Sequence, residues 1–480
     1  MRAKASLEPV FCREDSADTL ANWDAIPPGR IWVRQKMNRE LTLHIGTSKT
    51  GSSSIQRVLA WQREALKAQG AYMPTSPGWA NHGILPAAFV ADLKKVRGYN
   101  PAVWEGMKPA ERIAQFRDDF AAEMAALPDW AQHIVITAEQ IGSLLSATEE
   151  VQRLADALAR YFRQVRVIVY LRRQDQHAAS AYSQWLRSGV LFEPGLPHGG
   201  PQELPEYDYD SLLDRFARVF GEAAIVPRIF ARDTLVNGDV VEDFLQVAGL
   251  QLDIPPDDPK LQANLSFNIE GQYLMLVAGR YLEKAAPSTL WRDTPQWRQL
   301  GEAVTRGLPG RGWRPTQADA AAFMERFAIG NESVRRRFFP ERAALFDLDF
   351  SDLPTTPMSA DSEGVNAAAL HVLLNEMALN AEREAASALA QFRLLKRLGD
   401  RDGMRKMLLR AIKFAPDLVP ARQHMAQLCL EEGELRNARE QADAGLALEP
   451  ENPKLLRLRR KADGSAPPGR APNLAVAGQQ

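Results

Sequence analysis

The hydrophobic and polar positions of this chain change period several times, and each change predicts an element. Leu41–Ile45 is a short apolar run bounded by Gly46. Ile55, Val58 and Leu59 then recur at helical spacing, which predicts a helix over Ser53–Gln69 that stops at Gly70. A loop over Tyr72–Gly83 follows, rich in turn formers and carrying His82. Pro109–Ala126 has the pattern of an amphipathic helix, and His133–Thr137 (HIVIT) that of a buried strand with Glu139 just past its end. Val165–Leu171 is a β-branched run broken only by Arg166, and Gln174–Arg187 predicts a helix closed by Gly189. Ala224–Phe230 predicts one more strand, and Val240, Val241, Phe244, Leu245 and Val247 mark the helix after it. Strands that alternate with helices in this way predict an α/β fold with a parallel sheet.

Beyond the polar stretch Pro357–Gly364 the pattern becomes long and alanine-rich. Gly399 and Gly433, Leu408 and Ala442, Ile412 and Leu446, and Pro416 and Pro450 stand at equivalent positions, 34 residues apart, the period of tetratricopeptide (TPR) helix pairs. Small residues (Ala411, Ala426, Ala438, Gly445) stand where such helices would cross. The expected organisation is an irregular extension (1–40), an α/β domain (41–356), a linker and connecting helix (357–384), all-α TPR-like repeats with a capping helix (385–463), and a Gly, Pro and Ala-rich tail without fixed structure (464–480). Two such repeats are fewer than stand alone, so they should pack on the first domain or on a protein partner.

Composition narrows the class of function. With 480 residues there is room for two or three domains, and 59 Lys plus Arg against 60 Asp plus Glu give no global field for nucleic acid. Cys12 and Cys429 stand too far apart in sequence for a cysteine metal motif or a disulfide framework, which suits a reducing, cytoplasmic setting. No window reaches the roughly 18 uncharged apolar residues of a membrane span, so any membrane association is expected to be peripheral.

The chemistry gathers around Leu41–Gln56, LTLHIGTSKTGSSSIQ. A strand, a loop bracketed by Gly46 and Gly51, and a helix start would aim backbone N–H groups and the helix dipole at one spot, where Lys49 adds a full charge. An anion suits that place, although an ordinary strand-to-helix turn has the same outline. An ATP-type P-loop carries its lysine after the second glycine, whereas here Lys49 precedes Gly51.

The order Lys49-Thr50-Gly51-Ser52-Ser53 resembles the loop by which sulfotransferases hold the 5′-phosphosulfate of 3′-phosphoadenosine 5′-phosphosulfate (PAPS). Arg172 at the mouth of a strand, with Ser180 eight residues on, resembles the same family's 3′-phosphate site. The likeness covers about Leu41–Pro354 and is closest to the bacterial and carbohydrate branch; the Asp243-Phe244-Leu245 run and the Asn264 and Ser266 pair match it loosely. It implies a P-loop-type parallel sheet flanked by helices, PAPS as donor with its bisphosphate as product, and no metal. It further implies cofactor binding by Lys49, Thr50, Gly51, Ser52, Ser53, Arg172 and Ser180. Lys49 is the implied catalytic cation, and the acceptor is a hydroxyl or amine, of a glycan or glycolipid above all. The base is His82 or Glu139, with His82 favoured because imidazole titrates near neutrality. His44 is expected to be a satisfied core histidine; His177, three residues from Ser180 on one helical face, is within reach of the nucleotide but is expected to be mostly structural. Two other readings remain: a P-loop phosphotransferase or kinase, and a TPR-type interaction protein with a vestigial nucleotide site.

Overall fold

Strand β1 (Glu40–His44) is the centre of the molecule's one five-stranded sheet among the described residues. The computed structural model describes residues 39–464 other than 97–100, 105, 254–265, 286–291 and 293. Residues 1–38, the tail beyond 464, Cys12 and Asn264 therefore lie outside the described residues. β2 (Ala71–Tyr72), β3 (His133–Thr137), β4 (Gln164–Leu171) and β5 (Ile225–Ile229) complete the sheet in the order β2-β3-β1-β4-β5, with every pairing parallel.

Strand residues alternate between two helical layers. Leu41, Leu43, Ile134, Ile136, Val167 and Val169 face a core shared with Phe116 and Phe120 of α4 (Pro109–Ala125), Leu154 and Leu158 of α6 (Thr148–Ala159), and Phe216 of α8 (Tyr209–Phe220). Val135, Ile168 and Tyr170 face the other way, toward Ile55, Val58 and Leu59 of α1 (Ser52–Trp61) and Phe244 and Leu245 of α9 (Val240–Ala248). Helices on both faces explain why these strands read as nearly continuous apolar runs. Two of the polar exceptions, Tyr170 and Arg228, share one carboxylate. Asp243 of α9 takes the Tyr170 hydroxyl at 2.8 Å and the Arg228 guanidinium, Nε at 3.0 Å, which ties α9 to β4 and β5.

The helix expected over Ser53–Gln69 is broken. It runs as α1 and then α2 (Arg63–Ala68), with Gln62 out of helical geometry and the Arg63 guanidinium on the Ala60 carbonyl at 3.2 Å. The remaining helices of this part are α3 (Ile84–Ala87), α5 (Gln140–Leu144), α7 (Gln174–Arg187), α10 (Ile269–Ala285), α11 (Pro295–Gly307), α12 (Gln317–Glu325) and α13 (Ala328–Phe338).

The chain divides into two compact units, Met1–Asp361 and Ser362–Gln480. The second is α14 (Ser362–Leu398), α15 (Arg401–Phe414), α16 (Val419–Glu431), α17 (Leu435–Leu448) and α18 (Pro453–Ala462). The stretch expected as a linker is largely the first half of α14, a continuous helix of 37 residues. α15 and α17 begin 34 residues apart (401 to 435), as do α16 and α18 (419 to 453). Phe392, Leu408, Met425 and Cys429 fill the core of this unit. Among the described residues no helix is long and apolar enough to cross a membrane.

Candidate functional site

Because β1 lies between β3 and β4, the segments that leave the carboxyl ends of these three strands emerge side by side, where open parallel sheets place their sites. The pairing of β1 with β4 continues past the strand end: Ile45 N–H donates to the Ile168 carbonyl at 3.0 Å, Tyr170 N–H to Gly46 at 2.9 Å, and Thr47 N–H to Tyr170 at 3.3 Å. That extension carries Lys49 to Arg172, whose Nη1 donates to the Lys49 carbonyl at 2.8 Å. On the other side Gly46, with φ 106°, lies against the backbone of Glu139; a Cβ there would stand 2.5 Å from the Glu139 carbonyl oxygen. Gly51, with φ 80°, leads into α1.

The hydroxyls of the loop divide into two groups. Thr50 and Ser52 are buried and both donate to the Thr47 carbonyl, at 2.6 and 3.2 Å, so they brace the loop from within. Ser53 is exposed on the first turn of α1, and Gly51 and Ser54 line the adjoining cleft.

Charge concentrates at Lys49. Its ammonium is held below the ordinary lysine value by burial, then by the positive charges of Arg187 and Arg172, with Glu139 acting in the opposite sense. The Glu139 carboxyl is pushed above the ordinary glutamate value by burial, and Lys49 opposes that rise. Lys49, Glu139, Arg172 and Arg187 therefore form one electrostatic group.

His82 belongs elsewhere. It is completely buried, its backbone N–H donates to the Thr137 carbonyl at 3.0 Å, and its Nδ1 accepts the Thr137 N–H at 3.1 Å. Its pKa is pushed down to about 3 by burial and by Arg63, opposed by the Pro74 carbonyl and Glu123. The ring thereby ties the loop after β2 to the end of β3. Arg63 holds the same loop through the Trp79 carbonyl, and Glu123 through Tyr72 and the Thr75 and Ser76 amides. His44 is likewise buried, with Nδ1 2.8 Å from the Thr137 hydroxyl and pKa pushed down to about 3 by burial.

A cleft of about 1080 Å³ opens beside the loop, lined by Gly51, Ser54, Arg172, Ser180, Phe230 and Trp313 among others. Of the two adjacent arginines only Arg172 faces it. Arg173 is buried, paired with Asp175 at 2.8 and 3.0 Å, and donates to the Asp347 and Asp349 carbonyls. Arg172 Nε is buried without a hydrogen-bond partner, a donor of the kind an anion would satisfy. Ser266 lies across the cleft with its hydroxyl 2.9 Å from Ser183, and Gln272 joins Ser183 at 2.8 Å to the Trp313 N–H at 2.6 Å. Among the described residues no cluster of three or more His, Cys, Asp or Glu side chains is arranged to hold a metal ion.

No family model matches the chain. An uncharacterized protein of Archaeoglobus fulgidus is 28% identical over 175 residues, which cover 36% of this chain and 46% of that protein, so the chain spans less than half of that relative's length. A sulfotransferase from Alicyclobacillus acidocaldarius of known crystal structure aligns with a TM-score of 0.30 and 15% identity, covering 54% of this chain and 99% of that one. Likeness of that degree assigns no activity to this chain.

Sequence reasoning did not single out Arg187, Ser54 or Trp313. Arg187 had a legible signal: it stands seven residues after Ser180 on α7, two helical turns on and on the same face. Its guanidinium stacks 4.5 Å from the Phe267 ring and donates to the Thr305 hydroxyl at 3.1 Å. Ser54 and Trp313 had none, because which surface of a helix or loop borders a cleft depends on distant chain.

Proposed function

We propose that this chain is a PAPS-dependent sulfotransferase acting on a hydroxyl or amine of an acceptor, a glycan or glycolipid above all. The observation that carries this reading is the meeting of Lys49, Arg172 and Glu139 at the carboxyl ends of neighbouring parallel strands, beside a cleft that Ser180 also lines. The residues fit the donor: three cations gather against one carboxylate, and the buried Arg172 Nε lacks a partner. When bound, PAPS supplies an activated sulfuryl group.

The chain's own residues then have distinct tasks. Arg172 and Ser180 hold the 3′-phosphate, the guanidinium as a fork of donors and the hydroxyl as a further one. Lys49 and the loop amides face the 5′ end, where charge develops as transfer proceeds. A carboxylate oxygen of Glu139 takes the acceptor's proton. Burial suits it for this, since a carboxyl raised above its ordinary pKa is a stronger base near neutrality. His82, with Nδ1 already engaged by a backbone amide, acts as a bracket for the loop after β2. The helical unit is assigned a TPR-like recruiting role toward a protein partner.

The test is a melting experiment on the full chain. Adenosine 3′,5′-bisphosphate should raise the melting temperature of the unit followed by tryptophan fluorescence, and Mg-ATP should not. Stabilisation by Mg-ATP alone would favour the phosphotransferase reading.

A further inference from the structure

Lys49 adopts φ 61°, a left-handed backbone that is strained for a residue with a side chain. Such geometry persists where its surroundings over-determine it. Two hydrogen bonds flank it. The Lys49 carbonyl accepts from Arg172 Nη1 at 2.8 Å, and the neighbouring Ser48 hydroxyl lies 2.9 Å from His177 Nε2, across 129 residues of chain. His177 is buried on α7, its Nδ1 lies 3.2 Å from the Tyr209 hydroxyl, and that hydroxyl donates to the Arg172 carbonyl at 2.6 Å.

The protons of this chain can be assigned. Tyr209 spends its own on a carbonyl, which can only accept. Burial, Arg172 and Lys49 push the imidazole pKa down to about 3, so the ring carries a single proton. That proton must sit on Nδ1, facing the Tyr209 oxygen, and Nε2 accepts from Ser48. Ser48, His177, Tyr209 and Arg172 thus form a closed circuit that returns to Lys49 through the Arg172 guanidinium.

We propose that His177, oriented by Tyr209, is a positioning residue that holds Ser48 and thereby keeps Lys49 in its left-handed turn, with the ammonium aimed at the 5′ anion of the donor. The inference rests on the sulfuryl-transfer reading of the loop. It assigns His177 to the 5′ end, although the helix that carries it also carries Ser180 of the 3′ end.

The test uses the full chain, adenosine 3′,5′-bisphosphate, and the two phosphorus NMR resonances of that nucleotide. Ser48→Ala removes the bond from one end. His177→Asn keeps a donor toward Tyr209 but falls short of Ser48, whereas His177→Gln places an acceptor where Nε2 stands. Ser48→Ala and His177→Asn should each weaken binding roughly 3- to 10-fold, the cost of one such hydrogen bond. Both should draw the 5′-phosphate resonance toward its free position and leave the 3′-phosphate resonance in place. His177→Gln should behave as wild type, and the double variant should be no worse than either single one. Ser48 is half-buried in a loop, so Ser48→Ala decides the matter if His177→Asn does not fold. The proposal is overturned if Ser48→Ala leaves the 5′ resonance unmoved, if both resonances move alike, or if Gln is as poor as Asn at position 177. A wild-type chain that shifts neither resonance overturns the donor reading itself, and this proposal with it.

Discussion

His82 is fully buried with its pKa pushed down to about 3 from 6.5, and His44 and His177 share that state, so the stability of this protein should depend steeply on mild acid. At pH 5 an imidazole in the unfolded chain is roughly 97% protonated, whereas each of these three is essentially neutral in the folded one. Unfolding therefore takes up nearly one proton per ring. Each proton contributes about 1.4 kcal/mol per pH unit, so the three together tilt stability by about 4 kcal/mol per unit. The sign follows from the depressed values: stability is fully present above the unfolded pKa of 6.5 and is lost as pH falls toward 3. His133, also lowered chiefly by burial, adds in the same sense.

The perturbation is His82→Asn, which keeps an acceptor for the Thr137 N–H and removes the titrating ring. The slope should fall by about a third, to about 2.7 kcal/mol per pH unit. Lost packing lowers the whole curve without changing its tilt. Urea unfolding around pH 5, where the unfolded rings are almost fully protonated, measures it, and tryptophan fluorescence isolates the first unit because every tryptophan precedes residue 362. An unchanged slope in His82→Asn would refute the reasoning, as would a folded-state His82 resonance that titrates near 6.5. Either result would return His82 to candidacy as the base.

Glu139→Gln should abolish the rising limb of kcat/KM against pH while sparing affinity for adenosine 3′,5′-bisphosphate. Lys49→Ala should move that limb to higher pH, since the positive charge that opposes the raised Glu139 pKa is gone; pH-rate profiles check both. Lys49→Ala should also lower kcat by about 100-fold or more at saturating donor, the scale for one lost group that stabilises developing charge, and wild-type turnover would exclude its role. Arg172→Ala and Ser180→Ala should act on affinity instead. Calorimetry of Ser180→Ala should show about tenfold weaker binding of adenosine 3′,5′-bisphosphate and little change for adenosine 5′-phosphate, whereas Arg172→Ala, which also removes the donor to the Lys49 carbonyl, should weaken both. Gly46→Ala introduces a side chain at φ 106° and against the Glu139 carbonyl, and should destabilise the first unit by about 2–3 kcal/mol in thermal unfolding.

Much of this fold is local and therefore legible along the chain. The apolar runs at Leu41, His133 and Val165 each became a strand, because a strand covered on both faces must be apolar on both. Helix spacing placed α4, α7 and α9, and the 34-residue offset reappears in the starts of α15 and α17. The residue order from Gly46 to Ser53 was enough to suggest an anion cradle, since glycines and a helix start act within a few residues of one another. The order β2-β3-β1-β4-β5 was not legible, nor was the two-residue β2, because strand pairing joins residues dozens to more than a hundred apart. The same holds for the site. His82 and Glu139 were equivalent as residues near strand ends, and only the fold turned one ring into the backbone of β3 and set the other carboxyl beside Lys49. Arg173 and Arg172 are neighbours of the same type, yet Asp175 and two distant carbonyls consume the first while the second keeps an unpartnered Nε beside the cleft. Sequence specifies which groups are available; burial and the direction of each side chain, which depend on the packing of remote segments, decide which of them can act.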